Sequence, residues 1–231
     1  MTGDGSWGHD GLAQAVRSRL GLGRLLPLGG ARDGAWITEE AAVAVLRSAA
    51  AGVPGAVLGK VRVDRATADA PARAGVPAPP SALPPGPLRV GAEAEGVAGA
   101  EPIPAAVERL RDALFGACAQ ALGLDVTEVD VRVTGLLEAP PNPSPVVGPD
   151  RGAAAVRGPE AEAAAAVPGV ARLTGVLGAA VHRTDDHVRV EFAVAAGWRA
   201  LDVAGAVRAA VAAATGADRS VAVLVTAVEL S

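Results

Sequence analysis

The sequence predicts an α/β fold of the α+β type, made of two tandem α-β-β-α-β units, each a three-stranded sheet with two helices on one face. Three observations support this prediction. Segments with apolar residues at helical spacing alternate with segments in which every second residue is apolar. Four short motifs occur twice in the same order. Two proline-rich stretches interrupt and separate the periodic segments.

The repeated motifs begin with a Val-Pro-Gly turn and end with a strand rich in valine. The spacing between the two copies decreases only where an insertion in the first copy requires it, so a tandem duplication explains the pattern better than chance does. The matched segments are 53–56 with 167–170, 88–90 with 188–190, 110–118 with 203–211, and 129–134 with 221–226.

Composition divides the 231-residue chain into four parts. Proline lacks the N–H that a helix interior or a sheet ladder needs, so we expect the proline-rich insert at 65–87 to be an exposed, extended loop. A second run rich in Pro, Gly and Ala is the expected domain boundary. The predicted parts are an N-terminal arm at 1–35, a first repeat at 36–138 that contains the insert, a linker at 139–159 and a second repeat at 160–231.

The first helix of the first repeat is predicted to begin after Thr38, because a threonine side chain can cap a helix. Glu39 and Glu40 then lie in its first turn, where the helix dipole favours negative charge. Gly52 and Pro54 end the helix. The elements that follow are two alternating strands, a helix that Pro104 opens and Gly123 ends, and a valine-rich strand, at residues 57–63, 89–95, 104–122 and 129–133.

The second repeat is predicted to have the same order in a shorter chain. Its first helix begins at about Glu160 and ends before the second Val-Pro-Gly motif. Two strands joined through Asp185 and Asp186 form a hairpin, and a helix and a final strand follow. These elements are expected at residues 173–183, 187–195, 201–215 and 221–225.

Composition and charge exclude several classes of protein. The chain has 21 basic and 25 acidic residues and a formal net charge of −4, without a basic cluster, and only 2% of its residues are aromatic. We therefore expect no nucleic-acid partner. With one cysteine there is no intramolecular disulfide, and we see neither a signal peptide nor an apolar run long enough to span a membrane. These features predict a cytoplasmic protein.

Together these features resemble the alkaline shock protein family of envelope stress response proteins, which is found widely in Gram-positive bacteria. The shared pattern is a helix ending in Val-Pro-Gly, a hairpin with an alternating second strand, a helix ended by Gly, and a final strand with Val at every second position. The similarity covers residues 37–138 and 160–230. The family pattern usually occurs once per chain, whereas here it occurs twice and an insert interrupts the first hairpin.

The resemblance implies a non-enzymatic scaffold or interaction protein of the cell-envelope stress response or of envelope maintenance. It implies self-association as a homo-oligomer and a protein partner that is a membrane anchor protein, with the chain peripheral at the inner face of the membrane. Residues 20–28 also resemble the start of actinobacterial proteins labelled after a baculovirus fibre protein, although no sustained heptads accompany them.

The N-terminal arm contains the predicted partner-docking residues. Apolar residues at helical spacing, followed by arginines and two glycines, are typical of a segment that binds another surface. The arm can dock on a protein partner, on a membrane surface, or back on the first repeat with Trp7 or Trp36 as an anchor. The docking residues are Leu12, Val16, Arg17, Leu20, Arg24 and Leu25.

The hairpin of the second repeat is a weak candidate for a metal site. With a two-residue turn at Asp185 and Asp186, His182 and His187 fall on the same face of the sheet, and these four side chains can ligate a divalent metal. The competing interpretation is ordinary turn chemistry with solvated histidines. A metal- or small-ligand-binding module is therefore the alternative function.

No combination of residues predicts catalysis or a cofactor. Cys118 lies on the apolar stripe of a helix, where a small buried side chain is expected rather than a nucleophile. Residues 55–60 (Gly-Ala-Val-Leu-Gly-Lys) differ from a phosphate-binding loop in spacing and context. A small ligand could still bind in a cleft between the repeats, where many Ala and Gly residues leave room.

Overall fold

A computed structural model describes residues 23–66, 72–99, 101–142, 145–216 and 219–230. The described residues form two sheets and intervening helices, which confirms the predicted α+β class. The elements in chain order are β1 (Leu25–Leu28), β2 (Ala35–Thr38), α1 (Glu39–Ala51), β3 (Ala56–Arg65), β4 (Leu88–Val97), α2 (Ile103–Gly116), a π-helical segment (Ala117–Leu122), β5 (Val126–Leu137), α3 (Pro159–Ala165), β6 (Val170–Leu173), β7 (Val181–Arg183), β8 (His187–Val194), α4 (Ala200–Thr215) and β9 (Ser220–Val228).

The first sheet consists of β3, β4 and β5 in that order. β3 and β4 are antiparallel, whereas β4 and β5 are parallel and are joined by a crossover through α2 and the π segment. Val63, Val90 and Ala92 are buried on the face that contributes to the core. The strands of the first repeat therefore lie where their alternating pattern predicts them.

The second sheet has six strands in the order β1-β2-β9-β8-β6, with β7 also paired to β8. β8 and β9 are parallel, as are β9 and β2, and the other pairs are antiparallel. The prediction of a separate three-stranded sheet in the second repeat is therefore wrong, because β1 and β2 extend this sheet. The single strand expected at 173–183 is also divided, into β6 and β7.

β1 and the first residue of β2 lie in the segment for which the sequence predicts an arm. Every residue of both strands is buried. Ala35, Trp36 and Ile37 pair with residues 223–225 of β9 in parallel register. Apolar runs without alternation suit strands that are covered on both faces. β2, one of the first two described strands, and β9, the last, are therefore neighbours in the sheet.

One continuous apolar core contains residues from both sheets and all four α-helices. α1 contacts β9 of the second sheet and β3 of the first, and α4 packs on β9 and α3. The predicted cap of α1 is present, since Thr38 Oγ1 accepts a hydrogen bond from the Ala41 N–H at 3.2 Å. Thr38 also ends β2, so the strand that joins the second sheet leads directly into the helix that covers β3.

The proline-rich insert covers the outer face of the second sheet. The Leu83 N–H donates to the Leu25 carbonyl at 2.8 Å, and the Leu25 N–H donates to the Ser81 carbonyl at 3.3 Å. Val76 is 7% exposed and belongs to a second apolar cluster with Trp36. The expectation of an exposed loop is therefore wrong for this part of the insert, because the apolar face of the sheet needs a cover.

Of the described residues of the predicted linker, 139–142 and 145–159, only Pro159 belongs to a helix or strand, as the first residue of α3. Arg151 forms an ion pair with Glu40 at the start of α1. The Ala154 N–H donates to the Leu173 carbonyl of β6 at 2.8 Å. The segment is therefore attached to elements of both halves of the chain.

The Val-Pro-Gly motifs have the same local geometry in both halves. Gly55 and Gly169 adopt the left-handed conformation, with φ of 83° and 92°. The Gly55 carbonyl accepts the Val97 N–H at 3.0 Å, and the Gly169 carbonyl accepts the Ala195 N–H at 2.8 Å. The turn at Gly55, which precedes β3, is thus bonded to the end of β4. The turn at Gly169, which precedes β6, is bonded to the residue after β8. The common origin of the two halves stays a prediction.

Candidate functional site

The predicted docking residues fall into two groups. Leu25 is 2% exposed in β1 and packs in the cluster that contains Trp36 and Val76. Its side chain therefore contacts the chain's own sheet. Arg24 is also among the described residues, whereas the remaining four docking residues lie outside them; they are Leu12, Val16, Arg17 and Leu20.

Arg24 connects the start of β1 to the first sheet. Its Nη1 lies 2.6 Å from Asp64 Oδ1, and its Nη2 lies 3.2 Å from Glu39 Oε1. The same Nη2 donates to the Val63 carbonyl at 2.6 Å, and Glu39 Oε1 accepts the Val63 N–H at 3.3 Å. The backbone N–H and C=O of Val63 point away from β4, so the side chains of Arg24 and Glu39 satisfy the edge of β3 at this residue. Arg24 therefore binds back on the first repeat, one of the three alternatives for the arm.

The hairpin of β7 and β8 has the predicted turn at Asp185 and Asp186. The Thr184 N–H donates to the His187 carbonyl at 2.8 Å across it. His182 lies opposite Arg189 in the register, which places the two histidines on one face as expected. Both aspartates are exposed.

Within the described ranges, no three His, Cys, Asp or Glu side chains lie close enough together to hold a metal ion. His187 instead forms a hydrogen bond between its Nδ1 and Ser220 Oγ at 2.8 Å. Burial lowers the pKa of His187 below its usual value, and nearby Arg189 and His182 act in the same direction. The charge of Asp186 and a hydrogen bond with Ser220 act in the opposite direction.

A buried ion pair lies further along β8 on the same face. Glu191 is fully buried; its Oε1 accepts from Arg189 Nη2 at 3.1 Å and its Oε2 from the Leu177 N–H at 3.0 Å. Burial raises the pKa of Glu191, although these hydrogen bonds and the Arg189 charge oppose the rise. The pair fastens the loop between β6 and β7 over the sheet, which is a structural role.

Cys118 is 1% exposed in the π segment. Burial raises the pKa of its thiol to about 12, so almost no thiolate is present at neutral pH. Its predicted position in the core is confirmed.

A cleft of about 630 Å³ opens where the two halves of the chain meet. Its walls are the second half of α1, the end of α2 with the π segment, the turn before α4, and the end of β9. π-Helical segments are rare and are often found at functional sites. Small side chains keep the cleft open; they are those of Ala49, Ala113, Gly116, Ala117, Ala121 and Gly197.

Trp198 is the largest side chain of this cleft and is 48% exposed. Its ring packs over Gly169, where an added Cβ would come within 2.8 Å of Trp198 Cδ2. The two charged side chains of the lining are both paired. Arg199 Nη1 donates to Asp202 Oδ1 at 2.8 Å, and Glu229 Oε1 accepts from Arg172 Nη1 at 2.6 Å.

The outer edge of β5 is a second candidate site. β5 has 12 residues, and in the part of the chain that the structure describes no strand lies on its outer side. Arg111 Nε donates to the Val129 carbonyl at 3.1 Å. Backbone groups alternate between the two sides of a strand, so Val129, Val131 and Val133 direct their N–H and C=O groups to this free edge.

Exposed apolar side chains accompany this edge. Val133 is 42% exposed and Leu136 is 60% exposed on β5, and Phe115 is 45% exposed on the neighbouring α2. The outer face of β5 is charged: Asp130 and Arg132 are exposed, and Arg132 Nη2 lies 2.7 Å from Glu93 Oε1. We call these side chains and the free backbone of residues 128–136 the β5 edge.

Comparison with known proteins gives no relative. No family model matches the chain, and no curated protein or solved structure matches it significantly. None of the described helices has the length and hydropathy needed to cross a bilayer. The family resemblance therefore stays a prediction, and function has to be argued from the geometry of the chain itself.

Sequence reasoning missed the β5 edge, and it placed a cleft between the repeats without naming the residues that line it. The strand itself is clear from its valines, but which side of it is free depends on the order of the strands. The available signal was Leu136, an apolar residue beyond the predicted strand at 129–133, which the structure shows to be 60% exposed. The cleft had a general signal in the Ala and Gly content, but none that placed Trp198 beside α1.

Proposed function

We propose that this chain is a non-enzymatic interaction protein that works by self-association, as a scaffold in the cell-envelope stress response or in envelope maintenance. The observation that carries the proposal is the free edge of β5. An exposed strand edge is a template for a strand of another chain. On the opposite edge of the same sheet, Arg24 and Glu39 bond both backbone groups of Val63, whereas on β5 Arg111 bonds the Val129 carbonyl alone.

The apolar side chains of the β5 edge support the same proposal. Phe115, Val133 and Leu136 belong to the small group of large apolar side chains that are exposed in the described residues. Removing apolar area from water stabilises a contact by about 25 cal/mol per Å². Proteins that keep such edges single usually protect them with lysine, proline or a covering loop. On β5 the described residues show one side-chain contact to the backbone of this edge, from Arg111 to Val129, and the exposed charges of Asp130 and Arg132 on the outer face.

A lysine in this edge should reduce the number of chains that associate in solution, and so the mass of the assembly. Val133→Lys places a charge on the apolar side of the edge, where a second chain would have to desolvate it. Sedimentation velocity over a range of concentrations should show an assembly of two or more chains for the wild type and a smaller species for the variant. Val156→Lys is the matched control, because Val156 is 48% exposed and lies far along the chain from β5. A wild type that is monomeric at every concentration would contradict the proposal.

We also propose that the partner is a membrane-linked protein and that the chain lies in the cytoplasm at the inner face of the membrane. Support for this part comes from the family resemblance and from the helical spacing of Leu12, Val16 and Leu20. These residues lie outside the described ones, so the proposal rests on their sequence pattern alone.

Binding to a membrane protein and binding to lipid give different results in a sedimentation assay. Purified protein should sediment with membranes of its host, but not with protease-treated membranes or with vesicles of the extracted lipids. The combined change Leu12→Ser, Val16→Ser and Leu20→Ser should abolish this binding. The control is the pair Val147→Ser and Val156→Ser, at two exposed positions of the linker. Equal binding to the lipid vesicles, or no binding to host membranes, would contradict the proposal that the partner is a membrane protein.

The cleft favours a second candidate function, the binding of a small ligand. Its volume lies within the range of about 300–1,000 Å³ that is usual for ligand pockets. Because Arg199 and Glu229 are already paired, the groups left for a ligand are the Trp198 ring and the uncharged side chains of Ser48 and Gln120. An uncharged aromatic molecule fits this lining best.

N-Phenyl-1-naphthylamine is a suitable neutral probe, because its fluorescence rises in an apolar site. The wild type should bind it saturably, with one site per chain. Ala49→Phe fills the cleft and should weaken binding by about tenfold or more. Ala51→Phe, at an exposed position of the same helix, should leave it unchanged. The candidate function fails if the probe binds both variants equally or does not saturate with the wild type.

A further inference from the structure

The β5 edge has one stretch that can form a regular ladder with another strand. Pairing of β5 with β4 is continuous from Glu128 to Val133, with a register shift at each end. Within this stretch, Val129, Val131 and Val133 direct their backbone groups to the free edge, as the Arg111 contact indicates. Alternation along the strand places the side chains of these three valines on the core face, where Val129 and Val131 pack against the core and Val133 is 42% exposed. The charged residues between them, Asp130 and Arg132, are exposed on the outer face.

We propose that two copies of this chain pair β5 to β5, antiparallel, about a two-fold axis at Val131. The inference rests on the proposed self-association and adds its interface and register. Val131 then lies opposite Val131 of the second copy, and Val129 lies opposite Val133 of the second copy. These residues form hydrogen-bonded pairs, with about six backbone hydrogen bonds across the axis.

Charge complementarity selects this register. It places Asp130 opposite Arg132 of the second copy, and the two-fold axis repeats this pair. Both residues occupy non-hydrogen-bonded positions, where the side chains of an antiparallel pair are closest. Since Arg132 already contacts Glu93 in its own chain, each guanidinium would lie between two carboxylates.

The neighbouring registers are less favourable. An axis at Asp130 keeps a pair of Glu128 with Arg132 on each side but places the two Asp130 carboxylates opposite each other. An axis at Arg132 places two guanidinium groups opposite each other. An axis at Val129 places Glu128 opposite Asp130. An axis at Val133 extends the ladder into the register shift after Val133 and loses the charge pair. Like charges directly opposite each other destabilise a strand pair.

The hydrogen bond from Arg111 is compatible with this contact. A carbonyl oxygen has two lone pairs, so the Val129 carbonyl can accept from Arg111 and from Val133 of the second copy. The joined sheet has six strands and ends at β3 of each copy, where Arg24 and Glu39 satisfy Val63. A two-fold contact of this kind closes on itself, so this sheet forms a dimer rather than a fibre.

Disulfide crosslinking of variants with one introduced cysteine tests the register directly. Val131→Cys brings two sulfurs together at the axis, because the Cα separation of a hydrogen-bonded pair, about 5.5 Å, suits a disulfide. Val133→Cys is the matched control on the same strand and face, and it lies opposite residue 129 instead. Cys118 is buried and does not compete. Under mild oxidation we expect covalent dimer from Val131→Cys and little from Val133→Cys.

Charge reversal gives a second test that does not depend on a new cysteine. Asp130→Arg and Arg132→Asp should each reduce the dimer measured by sedimentation velocity, because each places like charges opposite each other. An equimolar mixture of the two variants should restore it, since every opposed pair in the mixed dimer then has opposite charge.

The outcomes separate this inference from the proposed function. If the wild type associates but Val133→Cys crosslinks as fast as Val131→Cys, or the mixture of charge variants does not recover, the register is wrong and self-association stands. If the wild type is monomeric, both are wrong. Selective crosslinking of Val131→Cys together with recovery in the mixture supports both.

Discussion

The parallel pairing of β2 with β9 is the constraint on which the rest of the structure depends. It joins a strand at the start of the first repeat to the last strand of the second, over Ala35, Trp36 and Ile37. Because β2 ends at Thr38, which caps α1, this pairing also fixes the helix that contacts both sheets. The proline-rich insert then covers the sheet face that the helices do not reach, with Val76 packed beside Trp36. Both halves share one apolar core as a result.

This arrangement determines which surfaces are left for binding. The start of β1 brings Arg24 to β3, where it and Glu39 satisfy the outer backbone of the first sheet. Among the described residues, the side-chain contact to the free backbone of β5 is that of Arg111 with Val129, and this backbone is flanked by Val133 and Leu136. The cleft has the same origin, since it lies where α1 meets the turn before α4 and its small side chains do not fill the junction. The two candidate sites are therefore consequences of how the halves join.

Much of the local structure could be predicted because its causes are local. The cap at Thr38, the alternating strands and the glycine that ends the π segment, Gly123 with φ of 83°, are all visible in short windows of sequence. The partners of β1 and β2 could not be predicted, since two short apolar runs carry no information about which of two sheets they extend. The burial of Val76 depends in turn on that sheet. The free side of β5 depends on the strand order, and the metal-ligand spacing at His182 and His187 did not reveal the Ser220 hydroxyl that holds one of the rings.

Hydrogen exchange of the central strands in increasing urea tests most directly that the two halves are one body. Amides of β4 belong to the first sheet and amides of β8 to the second, and Val90 and Val190 are both fully buried. If the β2–β9 pairing and the shared core couple the halves, both sets of amides open with the same free energy and the same dependence on urea. Protection that is lost in β4 at a clearly lower urea concentration than in β8 would show two independent units and would contradict this arrangement.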